Sequence, residues 1–129
     1  MASILIVEDD RGAQRILAEV VRGLGHHSII ARDGAVAWTI LQDNPDIRLI
    51  LTDVVMPGVD GLELAARIRA DEHLAELPVV VISGQIGPKR IADLLKNGMT
   101  RFLGKPLKPR EIAATVRAYL PDQPATASV

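Results

Sequence analysis

Short apolar runs alternate five times with helical patterns along this chain of 129 residues. The first run, Ser3–Val7, stops abruptly at acidic residues. Between the runs, apolar residues recur every three or four positions, which is the spacing of one face of an α-helix. Strands that alternate with helices in this way predict one α/β domain, in which helices cover both faces of a parallel sheet.

Glycine, proline and asparagine mark where these segments end. The predicted strands are residues 3–7, 28–31, 48–52, 78–82 and 101–103. The run at 78–82 is the richest in β-branched residues, which favours a central, buried strand. The last helix is expected to begin at Pro109 and to continue to Leu120, before Pro121. Residues 121–129 are small and polar, so we interpret 1–120 as the domain and 121–129 as a disordered tail or linker.

The composition narrows the classes of protein to which the chain can belong. Apolar residues make up 48% of the chain, with one Phe, one Tyr and one Trp, and this suits an aliphatic core. Fifteen basic and 16 acidic residues give a net charge of -1, which argues against a nucleic-acid partner. Without cysteine the chain has no disulfide or thiolate site. We expect a cytoplasmic protein without a membrane partner, because no apolar run approaches the length of a span.

Chemically active side chains directly follow four of the five predicted strands. They are Glu8, Asp9 and Asp10 after the first strand, Asp53 after the third, Ser83 after the fourth and Lys105 after the fifth. In a parallel sheet of this kind, ligands bind outside the carboxyl ends of the strands, where the strand order reverses. Strands one and three would be neighbours there, so the sequence predicts that their carboxylates converge.

Converging carboxylates repel one another and need a counter-charge to stay ionised. A hard divalent cation such as Mg²⁺ meets that need, because it takes oxygen ligands from carboxylates, water and phosphate. A carboxylate beside Mg²⁺, an ammonium and a hydroxyl is equipped to attack phosphorus. Taken singly, Asp53, Ser83 and Lys105 are better explained as a turn residue, a loop hydroxyl and a solvated charge, and Asp10 as a helix cap. Their joint occurrence favours a shared site.

Four segments of the chain carry a resemblance to a known family. They are VEDD at 7–10, LTDVVMPGVDG at 51–61, VISG at 81–84 and KP at 105–106. Together they resemble the receiver domain of two-component response regulators, and the resemblance covers about residues 3–120. It implies a doubly wound, flavodoxin-like fold with a five-stranded parallel sheet in the order 2-1-3-4-5.

The resemblance also assigns roles around Asp53, which would be the phospho-acceptor. It implies that a Mg²⁺ ion is bound by Asp9 and Asp53, by Glu8 mainly through metal-bound water, and by the backbone carbonyl of Val55. With this set of ligands, phosphorylation would depend on magnesium.

Further roles follow from the same resemblance. Ser83 would donate a hydrogen bond to the phosphoryl group, and Lys105 would pair with it. Ser83 and Phe102 occupy the positions of the family's switch residues, although ordinary core packing explains Phe102 equally well. The family also tends to have a cis peptide bond before the proline that matches Pro106.

The implied partners are proteins. A histidine kinase or a histidine phosphotransfer protein would donate the phosphoryl group, and an unknown downstream protein would receive the signal. The domain would be a monomer or would dimerise on phosphorylation. It would catalyse its own phosphorylation and dephosphorylation only, and so would be a switch rather than an enzyme with turnover.

Two other functions compete with this interpretation. An aspartate-nucleophile phosphatase of the haloacid dehalogenase type needs a second Asp two residues after the nucleophile, and Val55 stands at that position. A receiver-like module that never takes phosphate would signal by contacts alone. Such modules usually lack one of the acidic, hydroxyl or lysine residues, whereas all are present here.

Overall fold

The computed structural model describes residues 2–54, 61–84 and 87–123, which form five strands and five helices. The strands are β1 (Ser3–Val7), β2 (His27–Ala31), β3 (Ile47–Asp53), β4 (Val79–Ser83) and β5 (Arg101–Gly104). The helices are α1 (Arg11–Gly23), α2 (Gly34–Asp43), α3 (Gly61–Ala70), α4 (Pro88–Lys96) and α5 (Pro109–Arg117). All strand pairs are parallel, in the order β2-β1-β3-β4-β5. The predicted fold and strand order are confirmed.

Two hydrophobic clusters fill the two faces of the sheet, because alternate residues of a strand point to opposite sides. On one face Leu5 packs with Leu64 and Ile68 of α3. On the other face Ile4 packs with Leu17 of α1 and with α5. Every residue of β4 is buried, as predicted for a central strand. Each fully buried Ile or Leu stabilises the fold by about 1.5–3 kcal/mol relative to an exposed position.

Side-chain caps and prolines fix the helix starts. The Asp10 carboxylate accepts a hydrogen bond from the backbone N–H of Ala13 at 2.8 Å, so Asp10 is the N-cap of α1. Prolines occupy the first turns of α4 and α5. The last helix ends at Arg117, three residues earlier than predicted. Beyond it, the N–H of Tyr119 donates to the carbonyl of Val116, three residues back, which tightens the chain into a turn.

Residues 121–123 pack against the turn between α1 and β2. The N–H of Gln123 donates to the Leu24 carbonyl at 2.9 Å, and Asp122 accepts two hydrogen bonds from Arg117. Gly25 has a φ of +89°, and a Cβ there would collide with the Gln123 carbonyl. Glycine is therefore required at this position. Residues 124–129 lie outside the described part of the chain.

His26 lies in the same region and is only 3% exposed. Neither ring nitrogen makes a hydrogen bond with the described residues. Burial lowers the pKa of His26 below its ordinary value of 6.5, although Asp122 and the Pro121 carbonyl oppose this shift. The folded protein therefore binds a proton at His26 less readily than the unfolded chain does.

We expect this difference to make folding stability depend on pH. The free energy of unfolding should fall as the pH drops below about 6.5, because the unfolded chain then takes up the proton first. The urea midpoint at pH 7.5 and at pH 5.5 measures the effect. His26→Leu should reduce the loss of stability between pH 7.5 and pH 5.5. The control His27→Leu, at an exposed position, should lose as much stability as wild type. Equal losses in wild type and His26→Leu would show that another group is responsible.

Candidate functional site

The register of the sheet brings the predicted site residues to one edge. Val7 of β1 is paired with Thr52 of β3. The residues that follow them, Glu8 and Asp53, therefore lie side by side at the ends of two neighbouring strands. Ser83 ends β4, the strand on the other side of β3. Parallel strands all end at the same edge, and this is why residues distant in sequence meet here.

Three carboxylates form a cluster at this edge. One oxygen each from Glu8, Asp9 and Asp53 lies within 4.8 Å of the others. Glu8 is fully buried, the Asp53 side chain is 15% exposed and Asp9 is exposed. Three converging carboxylate oxygens, open to solvent on one side, match the ligands and the room for water that Mg²⁺ requires. Val55, the fourth implied ligand, lies outside the described residues.

Lys105 balances two of these carboxylates. Its Nζ lies 3.1 Å from Glu8 Oε1 and 3.4 Å from Asp53 Oδ2. The backbone holds it in place, since its N–H donates to the Ser83 carbonyl at 2.8 Å. Burial lowers the pKa of Lys105, but Glu8 and Asp53 outweigh burial and leave the pKa raised. The site therefore favours a protonated lysine next to Asp53.

Glu8 is the most constrained of the three acids. Burial raises its pKa, while the Asp10 N–H and Lys105 act in the opposite direction. Its Oε1 is in ionic contact with Lys105 but receives no hydrogen bond of good geometry within the described structure. A buried carboxylate oxygen left in this state can be satisfied by a bound cation or water. The residues present therefore fit a divalent metal.

Residues 8–10, here called the acidic turn, are held by hydrogen bonds. The N–H of Asp10 donates to Glu8 Oε2 at 3.1 Å, and Gln14 Nε2 donates to the Glu8 carbonyl at 2.6 Å. Asp10 acts as the cap of α1, and the carboxylate cluster does not include it. Gln14 was not anticipated from the sequence. The available signal was its place in the first turn of α1, because helical side chains lean toward the N-terminus.

Gly61 brings α3 against the end of β3. Its N–H donates to the Val54 carbonyl at 3.0 Å, and a Cβ on Gly61 would lie 2.6 Å from the Asp53 carbonyl oxygen. No side chain fits at that distance unless the backbone shifts. The sequence showed Gly61 only as part of a motif and did not reveal this contact.

We expect Gly61→Ala to disturb both stability and the site. The added methyl group must displace the backbone at Asp53, which should cost about 1–3 kcal/mol of unfolding free energy. Urea unfolding measures that cost, and the phosphorylation assay described below measures the effect on Asp53. Gly23→Ala is the control, since a Cβ there meets nothing within 4 Å. Gly23→Ala should be neutral or stabilise by about 0.5–1 kcal/mol. Similar stabilities for the two variants would contradict the contact.

The resemblance also implied a cis peptide bond before Pro106 and a switch role for Phe102. The Lys105–Pro106 bond is cis, as the resemblance implied. Phe102 is partly buried and packs against the cluster that contains Leu64. Its ring lies beside Gly104, where a Cβ would be 3.6 Å from Cε1. This position agrees with core packing and leaves the proposed switch role of Phe102 untested.

A shallow groove of about 280 Å³ adjoins the acidic turn. It runs between the start of α1 and the residues after β5. The groove is lined by Asp10, Gly12, Ala13, Ile16, Lys105, Pro106 and Leu107. Apart from Asp10 and Lys105 its lining is apolar or small, and Ile16 is 36% exposed. The groove therefore offers an apolar surface beside the site.

Comparison with known proteins identifies the family. A sequence model of the family described as "Response regulator receiver domain" matches residues 4–117. The chain belongs to the response regulator receiver family. This receiver is 31% identical over 108 residues to the chemotaxis protein CheY homolog of Campylobacter jejuni, with 83% of each chain covered. It is therefore a CheY-like component of two-component signalling, a class whose members bind Mg²⁺ and have histidine kinase partners.

Larger proteins and solved structures agree with this assignment. The receiver is 33% identical over 126 residues to the DNA-binding response regulator MtrA of Mycobacterium leprae, of which it spans 54%. It superposes on Vibrio cholerae chemotaxis protein CheY4 with a TM-score of 0.85 at 25% identity, covering 93% of this chain and 99% of that one. Within the described residues, no helix of this receiver is long and apolar enough to span a membrane.

Proposed function

We propose that this receiver accepts a phosphoryl group on Asp53 from the phosphohistidine of a histidine kinase or histidine phosphotransfer protein. The reaction depends on Mg²⁺, and the product is a signalling switch that acts through protein contacts. One observation carries the proposal, namely the convergence of Asp53 with Glu8 and Asp9 within 4.8 Å beside the Lys105 ammonium. An acceptor carboxylate, a cation site and a fixed positive charge are what transfer to a carboxylate requires.

Glu8, Asp9 and Asp53 are the side chains that would hold the metal. When bound, Mg²⁺ offsets negative charge on the carboxylates and on the phosphoryl oxygens. Lys105, which directly follows β5, contributes a positive charge, and its raised pKa favours the protonated form. This division of roles explains why one site contains three acids and one lysine.

The transfer itself is a displacement at phosphorus. A carboxylate oxygen of Asp53 attacks, a new O–P bond forms, and the N–P bond to the donor imidazole breaks. The imidazole leaves with the electron pair of that bond and stays on the donor. Asp53 becomes an acyl phosphate, and Lys105 is placed to pair with its added oxygens. Because the acceptor is the protein's own side chain, the domain is a switch and not an enzyme with turnover.

The switch would begin with the new charge on Asp53. Ser83 ends the adjacent strand, and its hydroxyl is the group we expect to donate to the phosphoryl oxygens. A shift of Ser83 toward Asp53 would free space for the Phe102 ring, which is only partly buried on β5. The added charge would thereby shift the equilibrium between two conformations of the surface around β4 and β5.

The groove beside the acidic turn supports a protein as the donor. Its apolar lining includes Ile16 and Leu107, and the same groove reaches Lys105. A protein that covers this surface would bring its phosphohistidine to Asp53 and exclude water from the reaction. We therefore place the donor on α1 and on the residues after β5.

The proposal is tested by incubating the receiver with Mg²⁺ and a small acyl phosphate and measuring its intact mass. We expect one added phosphoryl group in wild type, and none with a metal chelator or in Asp53→Asn. Asp43→Asn makes the same change at an exposed position on α2 and should still be phosphorylated. If wild type gains nothing and also fails to bind a stable phosphate mimic, the phosphorylation proposal is wrong. Signalling by contacts alone would then be favoured.

A further inference from the structure

Gln14 connects the first turn of α1 to the backbone of the acidic turn. Its Nε2 donates to the Glu8 carbonyl over 2.6 Å, a short hydrogen bond. We propose that Gln14 is a positioning residue that holds the acidic turn in the arrangement that binds the divalent cation. This inference rests on the proposed metal site, but it assigns a role to a side chain that lies outside the carboxylate cluster.

The backbone of Glu8 is held from two sides. Its N–H donates to the Ala31 carbonyl of β2 at 2.9 Å, and its carbonyl accepts from Gln14. Asp10 is fixed as the cap of α1 and donates to the Glu8 carboxylate. Asp9 lies between these two fixed residues. The position of its exposed carboxylate therefore depends on the geometry of the turn.

Charge repulsion acts against this arrangement when no cation is bound. One oxygen from each of the three carboxylates lies within 4.8 Å of the others, and Lys105 is in contact with one oxygen of Glu8 and one of Asp53. Asp9 is exposed, so this repulsion acts to push its carboxylate outward into solvent. The hydrogen bond from Gln14 opposes that movement because it fixes the peptide that joins Glu8 to Asp9. A site held in place before binding loses less free energy when the cation arrives.

Gln14→Met isolates this hydrogen bond. Methionine has nearly the same length and a similar helix propensity, but it has no N–H donor. Mn²⁺ is a suitable probe because it prefers the same oxygen ligands as Mg²⁺, and the spin resonance signal of the free ion reports binding. We expect the Kd for Mn²⁺ to rise roughly tenfold, the lower end of what is lost when a residue supporting a metal ligand is removed.

The matched control is Gln42→Met, which makes the same chemical change at an exposed position of α2. It should bind Mn²⁺ as wild type does. Affinity is measured where urea unfolding shows each variant to be fully folded, so that a loss of stability alone leaves the Kd unchanged. Equal Kd values for wild type and Gln14→Met would overturn the role of Gln14. Absence of Mn²⁺ binding in wild type would overturn the metal site itself, and the role of Gln14 with it.

Discussion

Lys105→Met should slow phosphorylation of Asp53 by about 100- to 1,000-fold, the usual cost of removing one preorganised charge or donor from a transfer site. The ammonium lies 3.4 Å from Asp53 Oδ2, so it would face the oxygens of a phosphoryl group carried by Asp53. The same substitution also leaves the buried Glu8 carboxylate without its counter-charge, which raises the pKa of Glu8 further. Both effects disfavour transfer.

The rate is measured from the time course of intact mass with a small acyl phosphate and Mg²⁺. Lys108→Met is the matched control, since Lys108 is exposed and its ion pair with Glu111 is long, at 3.9 Å. It should be phosphorylated at nearly the wild-type rate. A wild-type rate for Lys105→Met would remove Lys105 from the reaction and leave it a structural ion pair.

Among the substitutions proposed for this receiver, Arg69→Met should lower stability most, by about 3 kcal/mol of unfolding free energy. The guanidinium donates to the carbonyls of Ala75, Leu77 and Gly98 at 3.0, 2.7 and 2.8 Å, and to Thr100 Oγ1 at 3.1 Å. One side chain thereby joins the end of α3 to the segments before β4 and β5. Hydrogen bonds from a charged donor contribute about 1.5–3 kcal/mol each but are not additive when one group makes them all.

The control for Arg69 is on the same helix. Arg67→Met removes an exposed ion pair of 3.5 Å with Glu63 and a cation–π contact of 6.0 Å with Trp38. Contacts of this kind contribute about 0–1 kcal/mol. Urea unfolding, followed by far-ultraviolet circular dichroism, should therefore separate the two variants clearly. If both variants lose the same small amount of unfolding free energy, Arg69 does not connect α3 to the segments before β4 and β5 in solution.

The sequence predicted the sheet and the convergence of the carboxylates, because both follow from local patterns. Apolar runs gave the strands, and acids after β1 and β3 meet wherever those strands are neighbours. The parallel pairing of β1 with β3 is then sufficient to bring Glu8 beside Asp53. Lys105 follows β5 in the same way.

Contacts that depend on loop geometry were not predictable in this way. Gln14 and Arg69 look like solvated helical residues in the sequence, and only the path of the backbone turns their side chains toward carbonyl groups. The close approach of Gly61 to Asp53 likewise depends on how α3 packs after β3. The early end of α5 reflects a tightening of its last turn, which apolar spacing does not report.

The most direct measurement locates the phosphoryl group on the chain. The receiver is phosphorylated in the presence of Mg²⁺, reduced with borohydride, which converts an acyl phosphate of aspartate to homoserine, and mapped by peptide mass spectrometry. We expect homoserine at position 53 alone, and none when metal is withheld. Homoserine at another carboxylate, or phosphorylation that survives Asp53→Asn, would contradict the assignment of Asp53 as the acceptor.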